Sequence, residues 1–264
     1  MAVNKKFGFS HKSGLLMAVS SLPSEYGIGS FGKPCYDWID FMDKTATKCW
    51  QVLPLNPTAY GDSPYQSPSS FAGNPYFVDL DELKSAGLLS DTDLESQKDC
   101  CERVNYGRLF ETRINVLKKA YSNFKKNSAF TRFCNSNSWW LDDYALFFSL
   151  KEKYNYAPWS AWPDEYKIYK NAVNHTDEFS SQADFWKFVQ YEFFSQWKKV
   201  CAYAHSKGIK IIGDMPIYVA YDSVDVWSNT DEYLLGENLN PTFVAGCPPD
   251  GFSPDGQLWG NPIY

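Results

Sequence analysis

The sequence lacks several things that would assign it to a large functional class. It has no C-x-x-C pair, and its seven cysteines are odd in number and scattered, so neither a zinc knuckle nor a redox dithiol is suggested. It has three histidines, His11, His175 and His205, isolated from one another, and no H-E-x-x-H, P-loop, G-x-S-x-G or strand-linked G-x-G-x-x-G. Basic charge is in deficit: 25 Lys and Arg stand against 31 Asp and Glu, a formal charge of −6, which argues against a chain that neutralises phosphates and so against nucleic acid as partner. No apolar run approaches eighteen residues, so no spanning helix and no membrane partner is expected. The cysteines read as reduced thiols of a cytoplasmic protein. Lys5, Lys6 and Lys12 precede an apolar run at 15–19, but the run is short and leads into Ser20-Ser21-Leu22-Pro23 rather than a cleavage site.

What is present points to one or two folded units. The chain has 264 residues, 44% of them hydrophobic and 21% charged, enough to bury a core without staples. Aromatics are abundant, with 10 Trp, 18 Tyr and 19 Phe, or 18% of the chain. A core does not demand that many, and sugar-binding clefts are one place where surplus rings are used.

The pattern along the chain is strand, helix, strand. Residues 14–19 form a short apolar run and read as a buried strand. Phe31, Cys35, Trp38, Ile39 and Met42 recur at helical spacing, with Lys33, Asp37, Asp40 and Lys44 on the other side. Residues 49–55 read as a second buried strand, which makes a βαβ unit and a parallel sheet. Residues 56–74 show no periodicity. Residues 81–208 are mainly helical: Tyr106 to Phe124 mark one helix, Ser138 caps a second through Tyr154, and Phe185 to Ala204 mark a third, ended by Gly208. His205, near that helix end, reads as structural. Residues 209–214 are a third strand, buried in a barrel wall, and the residues after Asp214 look like loop. Three candidate strands of an eight-stranded barrel, interrupted by a large helical insertion, lead to the expectation that the chain is the front part of a longer protein.

Three segments could carry chemistry, each with a bland alternative. Tyr60 to Tyr76 follows the second strand at its C-terminal end. Its Tyr and Phe rings could stack on sugar faces while Ser63, Gln66 and their neighbours bond hydroxyls, or the segment could be an Ω-loop packed on the scaffold. Gly213-Asp214-Met215-Pro216 places an acid where the third strand ends. Gly213 removes bulk there, and Asp214 faces the site or caps the turn. Residues 246–264, rich in Pro and Gly, read as a loop closing over something or as a surface connector.

Together these segments are more specific than any one of them. Ser20-Ser21-Leu22-Pro23-Ser24, Trp50-Gln51-Val52-Leu53-Pro54-Leu55, Gly61-Asp62-Ser63-Pro64-Tyr65-Gln66-Ser67, Ile212-Gly213-Asp214-Met215-Pro216 and Gly256-Gln257-Leu258-Trp259-Gly260-Asn261-Pro262 stand in order. The chain resembles the 4-α-glucanotransferases (amylomaltases or disproportionating enzymes), glycoside hydrolase family 77. The resemblance implies an incomplete (β/α)8 TIM barrel, with the first βαβ units and substrate loop in 1–80, a helical insertion in 81–180, and a barrel helix, third strand and covering loop in 181–264. It implies transfer of α-1,4-glucan segments between maltooligosaccharides or starch by a retaining double displacement, with no cofactor. It also implies that no catalytic residue lies in this chain, the nucleophile and acid/base falling after Tyr264, so that the fragment alone is inactive. Tyr60 and Tyr65 match glucan contacts outside and inside the main groove, and Asp214 a residue supporting the site. Asp250 matches the mobile covering loop and Trp259 its neighbour, with Ser63, Gln66 and Asn261 as further substrate-binding positions. The competing readings are a non-catalytic α-glucan-binding module and a fragment of another α-amylase-group hydrolase.

Overall fold

A computed structural model describes residues 11–59, 61–99 and 102–264. Its frame is a three-stranded parallel sheet of β1 (Gly14–Leu16), β2 (Cys49–Gln51) and β3 (Lys210–Ile212), in that order across the sheet. Leu15 pairs with Trp50, and Trp50 with Ile211, so β2 is central. The first crossover is α1 (Lys33–Lys44), which starts with Pro34 in its first turn and buries Cys35, Ile39 and Met42 on one side, as the periodicity predicts. The second crossover contains α2 (Leu80–Ser85), α3 (Asp91–Glu95), α4 (Tyr106–Asn123), α5 (Ser128–Lys153), α6 (Asp164–Lys167), α7 (Tyr169–Ala172) and α8 (Ser180–Ser206). After β3 come α9 (Val224–Ser228) and an antiparallel hairpin of β4 (Val244–Cys247) and β5 (Gln257–Pro262).

The core lies where α1 and α8 cover the sheet. Trp50 of β2 is fully buried and donates its indole N–H to the Met17 carbonyl at 2.9 Å. Phe31 sits 5.1 Å from the rings of both Phe193 and Trp197 on α8. A second layer is built by α5 and α8, whose 26 and 27 residues make rods of about 40 Å. Phe124, Phe130 and Tyr191 interlock at one end of that layer, and Tyr144, Phe148 and Trp186 further along. The aromatic surplus is therefore spent chiefly on packing helix against helix, not on a sugar cleft.

Four expectations need correction. The strands are short, and β1 and β3 are not buried: Leu16 is 57% and Ile212 46% exposed. Helices cover one face of the sheet, and among the described residues no strand pairs with the outer edge of β1 or β3. Ser138 caps nothing. Asn127 caps α5 eleven residues earlier by accepting the Phe130 N–H, and Ser138 sits inside the helix, donating to the Asn135 carbonyl. Gly213 meets open space, so its lack of a side chain relieves no crowding. The stretch after Asp214 is not all loop, because α9 and the β4–β5 hairpin lie within it. The end of α8 is as expected: Gly208 adopts φ +69°, a left-handed turn that glycine enters without strain.

Candidate functional site

Parallel strands end together, so the segments after β2 and β3 emerge at one rim. Backbone bonds fix that emergence: Met17 N–H reaches the Gln51 carbonyl, and Val52 N–H the Ile212 carbonyl at 3.0 Å. The segment after β2 then turns back on itself. Asn56 acts as its staple, donating its amide to the carbonyls of Ser69 and Ser70 at 3.1 and 2.8 Å. Residues 67–69 are buried, with Ala220 N–H on the Ser67 carbonyl and Val224 N–H on the Pro68 carbonyl. Asp225, in the first turn of α9, accepts the Ser70 N–H at 2.9 Å; burial pushes its carboxyl upward from the usual range. Further on, the side chain of Gln190 accepts the Gly73 N–H and donates to the Gly73 carbonyl, at 2.7 and 3.0 Å. A Cβ on Gly73 would stand 2.2 Å from the Phe193 ring, so only glycine lets the loop lie this close to α8. Gln196, two turns along, holds the Asp79 backbone in the same manner. The loop is therefore clamped from three elements before it presents anything.

What it presents is Tyr65, 44% exposed, whose hydroxyl donates to Asp214 Oδ2 at 2.6 Å. That bond, with some burial, pushes the phenol up to about 12, so it stays a donor through the neutral range. Tyr65 N–H in turn rests on Ser63 Oγ at 3.2 Å. Gln66 donates to the Trp259 carbonyl at 2.8 Å and to Asn261 Oδ1 at 2.9 Å, while Asn261 donates to the Val219 carbonyl at 2.8 Å. Asn261 is buried, so its side chain holds the loop to β5 rather than facing solvent. Beside this network the rings of Tyr218 and Tyr264 stack at 6.1 Å, with Trp259 6.3 Å from Tyr218.

Six expected residues, Ser63, Tyr65, Gln66, Asp214, Trp259 and Asn261, thus fall into one connected set drawn from both strand ends and the hairpin. Asp250 does not join it. Its carboxylate accepts the N–H groups of Phe252 and Ser253, both at 2.8 Å, and shapes the hairpin turn. Tyr60 lies outside the described residues. Asn56 and Gln190 had no sequence signal beyond being polar, while Asp225 opens a stretch, Asp225-Val226-Trp227, that resembles the family. No group of three or more His, Cys, Asp or Glu among the described residues could hold a metal ion. The set forms an open rim of one carboxylate, a phenol, a primary amide and aromatic faces. Such a rim can stack on pyranose rings and exchange hydrogen bonds with hydroxyls. A hollow of about 360 Å³, lined by Ile168, Tyr169, Trp227 and Leu239 among others, includes none of these residues.

The glycoside hydrolase family 77 profile, described as 4-alpha-glucanotransferase, matches residues 17–264. The 4-alpha-glucanotransferase of Clostridium butyricum is 53% identical over 255 residues, covering 94% of this chain and 52% of the relative. That of Thermus thermophilus is 44% identical over 262 residues, covering 95% and 51%. Among solved structures, an amylomaltase from Streptococcus agalactiae in complex with acarbose superposes with a TM-score of 0.90 at 40% identity, covering 97% of this chain and 53% of that one. The chain spans about half the length of the curated relatives it matches.

Proposed function

Because the chain belongs to the 4-alpha-glucanotransferase family, glycoside hydrolase family 77, we propose that it supplies the substrate-groove portion of an enzyme that moves α-1,4-glucan segments between maltooligosaccharides. The three parallel strands are read as the first three of an eight-stranded barrel, with the 81–180 helices inserted between the second and third. In the retaining reaction one carboxylate attacks the anomeric carbon while a second protonates the departing 4-oxygen. The 4-hydroxyl of another glucan then displaces the enzyme carboxylate, giving its proton to the second group. In this reading both carboxylates, and a third that stabilises the transition state, come from the half of the relatives' length that this chain does not span.

The observation that carries the proposal is the Tyr65–Asp214 bond at the shared rim of two strand ends. A phenol held by a carboxylate offers a fixed ring face for stacking, and the second carboxylate oxygen remains to accept from a sugar hydroxyl. The acarbose held by the Streptococcus agalactiae neighbour supports an α-glucan as the occupant. Gln66 and Asn261 position the loop, and Trp259 offers a second ring face.

The test is a chimera that joins this chain to the remaining half of the Clostridium butyricum relative. It is expected to convert two maltotriose molecules into glucose and maltopentaose. A folded chimera that binds maltooligosaccharide without transfer would favour the glucan-binding module instead.

A further inference from the structure

The loop that carries Tyr65 also carries a second aromatic outward. Residues 67–69 are buried and pinned to 220 and 224, and beyond them Phe71 emerges 50% exposed. Its ring meets Trp139 of α5 edge to face, at 4.7 Å between centroids and 77° between planes. Trp139 is 65% exposed. If the pair served only to anchor the loop, both rings would be covered, as Trp140 beside them is; Phe71 already has that contact, 6.4 Å from Trp140. The indole N–H groups of Trp50, Trp140, Trp159, Trp162 and Trp227 all donate within the chain. That of Trp139, like those of Trp38 and Trp186, has no partner among the described residues, but theirs are buried and its own lies on a ring open to solvent. Around it, at the preceding helical turn, Asn135 and Ser136 are exposed, and at the following one lies Asp142, with Oδ1 paired to Lys187 at 2.5 Å and Oδ2 left to accept.

A flat ring face, a free N–H donor and a rim of amide, hydroxyl and carboxylate make a surface suited to a pyranose, whose C–H face stacks while its hydroxyls find partners. We propose that Phe71 and Trp139 form a second contact for α-glucan, outside the Tyr65–Asp214 set and specific to chains long enough to leave it. The proposal rests on the reading of the chain as glucan-acting, and on the continuity of the loop that joins the two sets. An adjacent contact of this kind would hold a polymer near the groove without touching the reacting bond.

The experiment is native electrophoresis of the 264-residue chain through gels containing amylopectin, with maltotriose transfer by the chimera measured in parallel. Trp139→Ala and Phe71→Ala are expected to weaken amylopectin retardation at least fivefold, with unchanged melting temperature. Trp139→Phe, which keeps a ring but loses the N–H, is expected to fall between. Maltotriose transfer is expected to be the same in Trp139→Ala as in the unaltered chimera, because Trp139 makes no contact with the Tyr65–Asp214 set. Undiminished retardation in both alanine variants overturns the platform and leaves the transferase reading intact. Retardation that depends on Trp139 in a chimera without transfer overturns the transferase reading and keeps the platform. An unaltered chain that is not retarded at all overturns the platform.

Discussion

Tyr65 and Asp214 are held to one another across 149 positions of sequence, and each depends on the other for its orientation. In the chimera, Asp214→Asn keeps the shape but can turn an amide donor toward the phenol. Transfer is expected to fall roughly tenfold, about 1.4 kcal/mol of transition-state stabilisation, with melting temperature unaltered. Full activity would leave Asp214 as a turn cap. A second residue-scale outcome concerns Gln190, fully buried and bonded to both backbone groups of Gly73. Gln190→Leu strands a buried N–H and a buried carbonyl, and is expected to destabilise the chain by about 3 kcal/mol in denaturant unfolding. A loss below measurement error would mean that the loop relaxes to water. Asp214 was legible by position, since it stands where an apolar run gives way at a strand end, whereas Tyr65 lies in the loop after another such run and was picked out by the family resemblance. Gln190 was not legible: a glutamine in a helix reads as part of its wet side until the loop that covers it is known.

At the scale of elements, α8 carries an acid in the wrong solvent. Burial pushes Glu192 up from its ordinary 4.5 to about 7, against the weaker pull of Lys199 and with Glu82 adding repulsion. Between those two values the folded chain holds a proton that the unfolded chain releases. This contribution to stability is complete below 4.5, declines as pH rises through 7, and is then flat. Glu192→Gln is therefore expected to stabilise the chain above pH 7.5, on the order of 1 to 2 kcal/mol given partial solvation, with the gain vanishing near pH 4.5. Urea midpoints across that range would check it, and a gain independent of pH would refute it. The helices α1, α4 and α8 were readable because a stripe repeating near every fourth residue survives in the sequence. The β4–β5 hairpin was hidden: Gly246, Pro248, Pro249, Gly256 and Gly260 fill it with turn formers, and its pairing depends on a partner strand rather than on alternation. The Ser138 reading failed because a cap is defined by the chain entering a helix, and the polar run Asn135 to Ser138 interrupts the apolar stripe that Phe130 and Phe133 begin after Asn127.

For the molecule as a whole, the decisive feature is the parallel sheet covered on one side only. Leu15 and Leu16 on β1, Ile212 on β3, and Met215 and Ile217 just beyond present exposed apolar side chains next to strand edges that are unpaired among the described residues. Such surfaces associate. The chain alone is expected to sediment as concentration-dependent oligomers and to brighten a hydrophobic dye. Leu16→Lys with Ile212→Lys is expected to suppress both, since charge on an edge strand opposes pairing. A monodisperse monomer that ignores the dye would show that the open face is closed in solution. The same chain is expected to leave maltotriose unchanged, and glucose release above a chain lacking Tyr65 and Asp214 would contradict the assignment of the reacting carboxylates elsewhere.

The bond from Gln66 to Asn261 spans 195 positions, and the Gln190 and Asp225 clamps on the same loop span more than a hundred. During synthesis the loop bearing Tyr65 leaves the ribosome long before its last tether, which follows 195 positions later. Until α8 and α9 emerge only Asn56 staples it, and until Asn261 emerges its tip lacks the tether to β5. The Tyr65 rim is then completed only after the helical layer beneath it. A ribosome paused before codon 261 would hold a molecule with its helices packed and the tip of its Tyr65 loop still open to a protease.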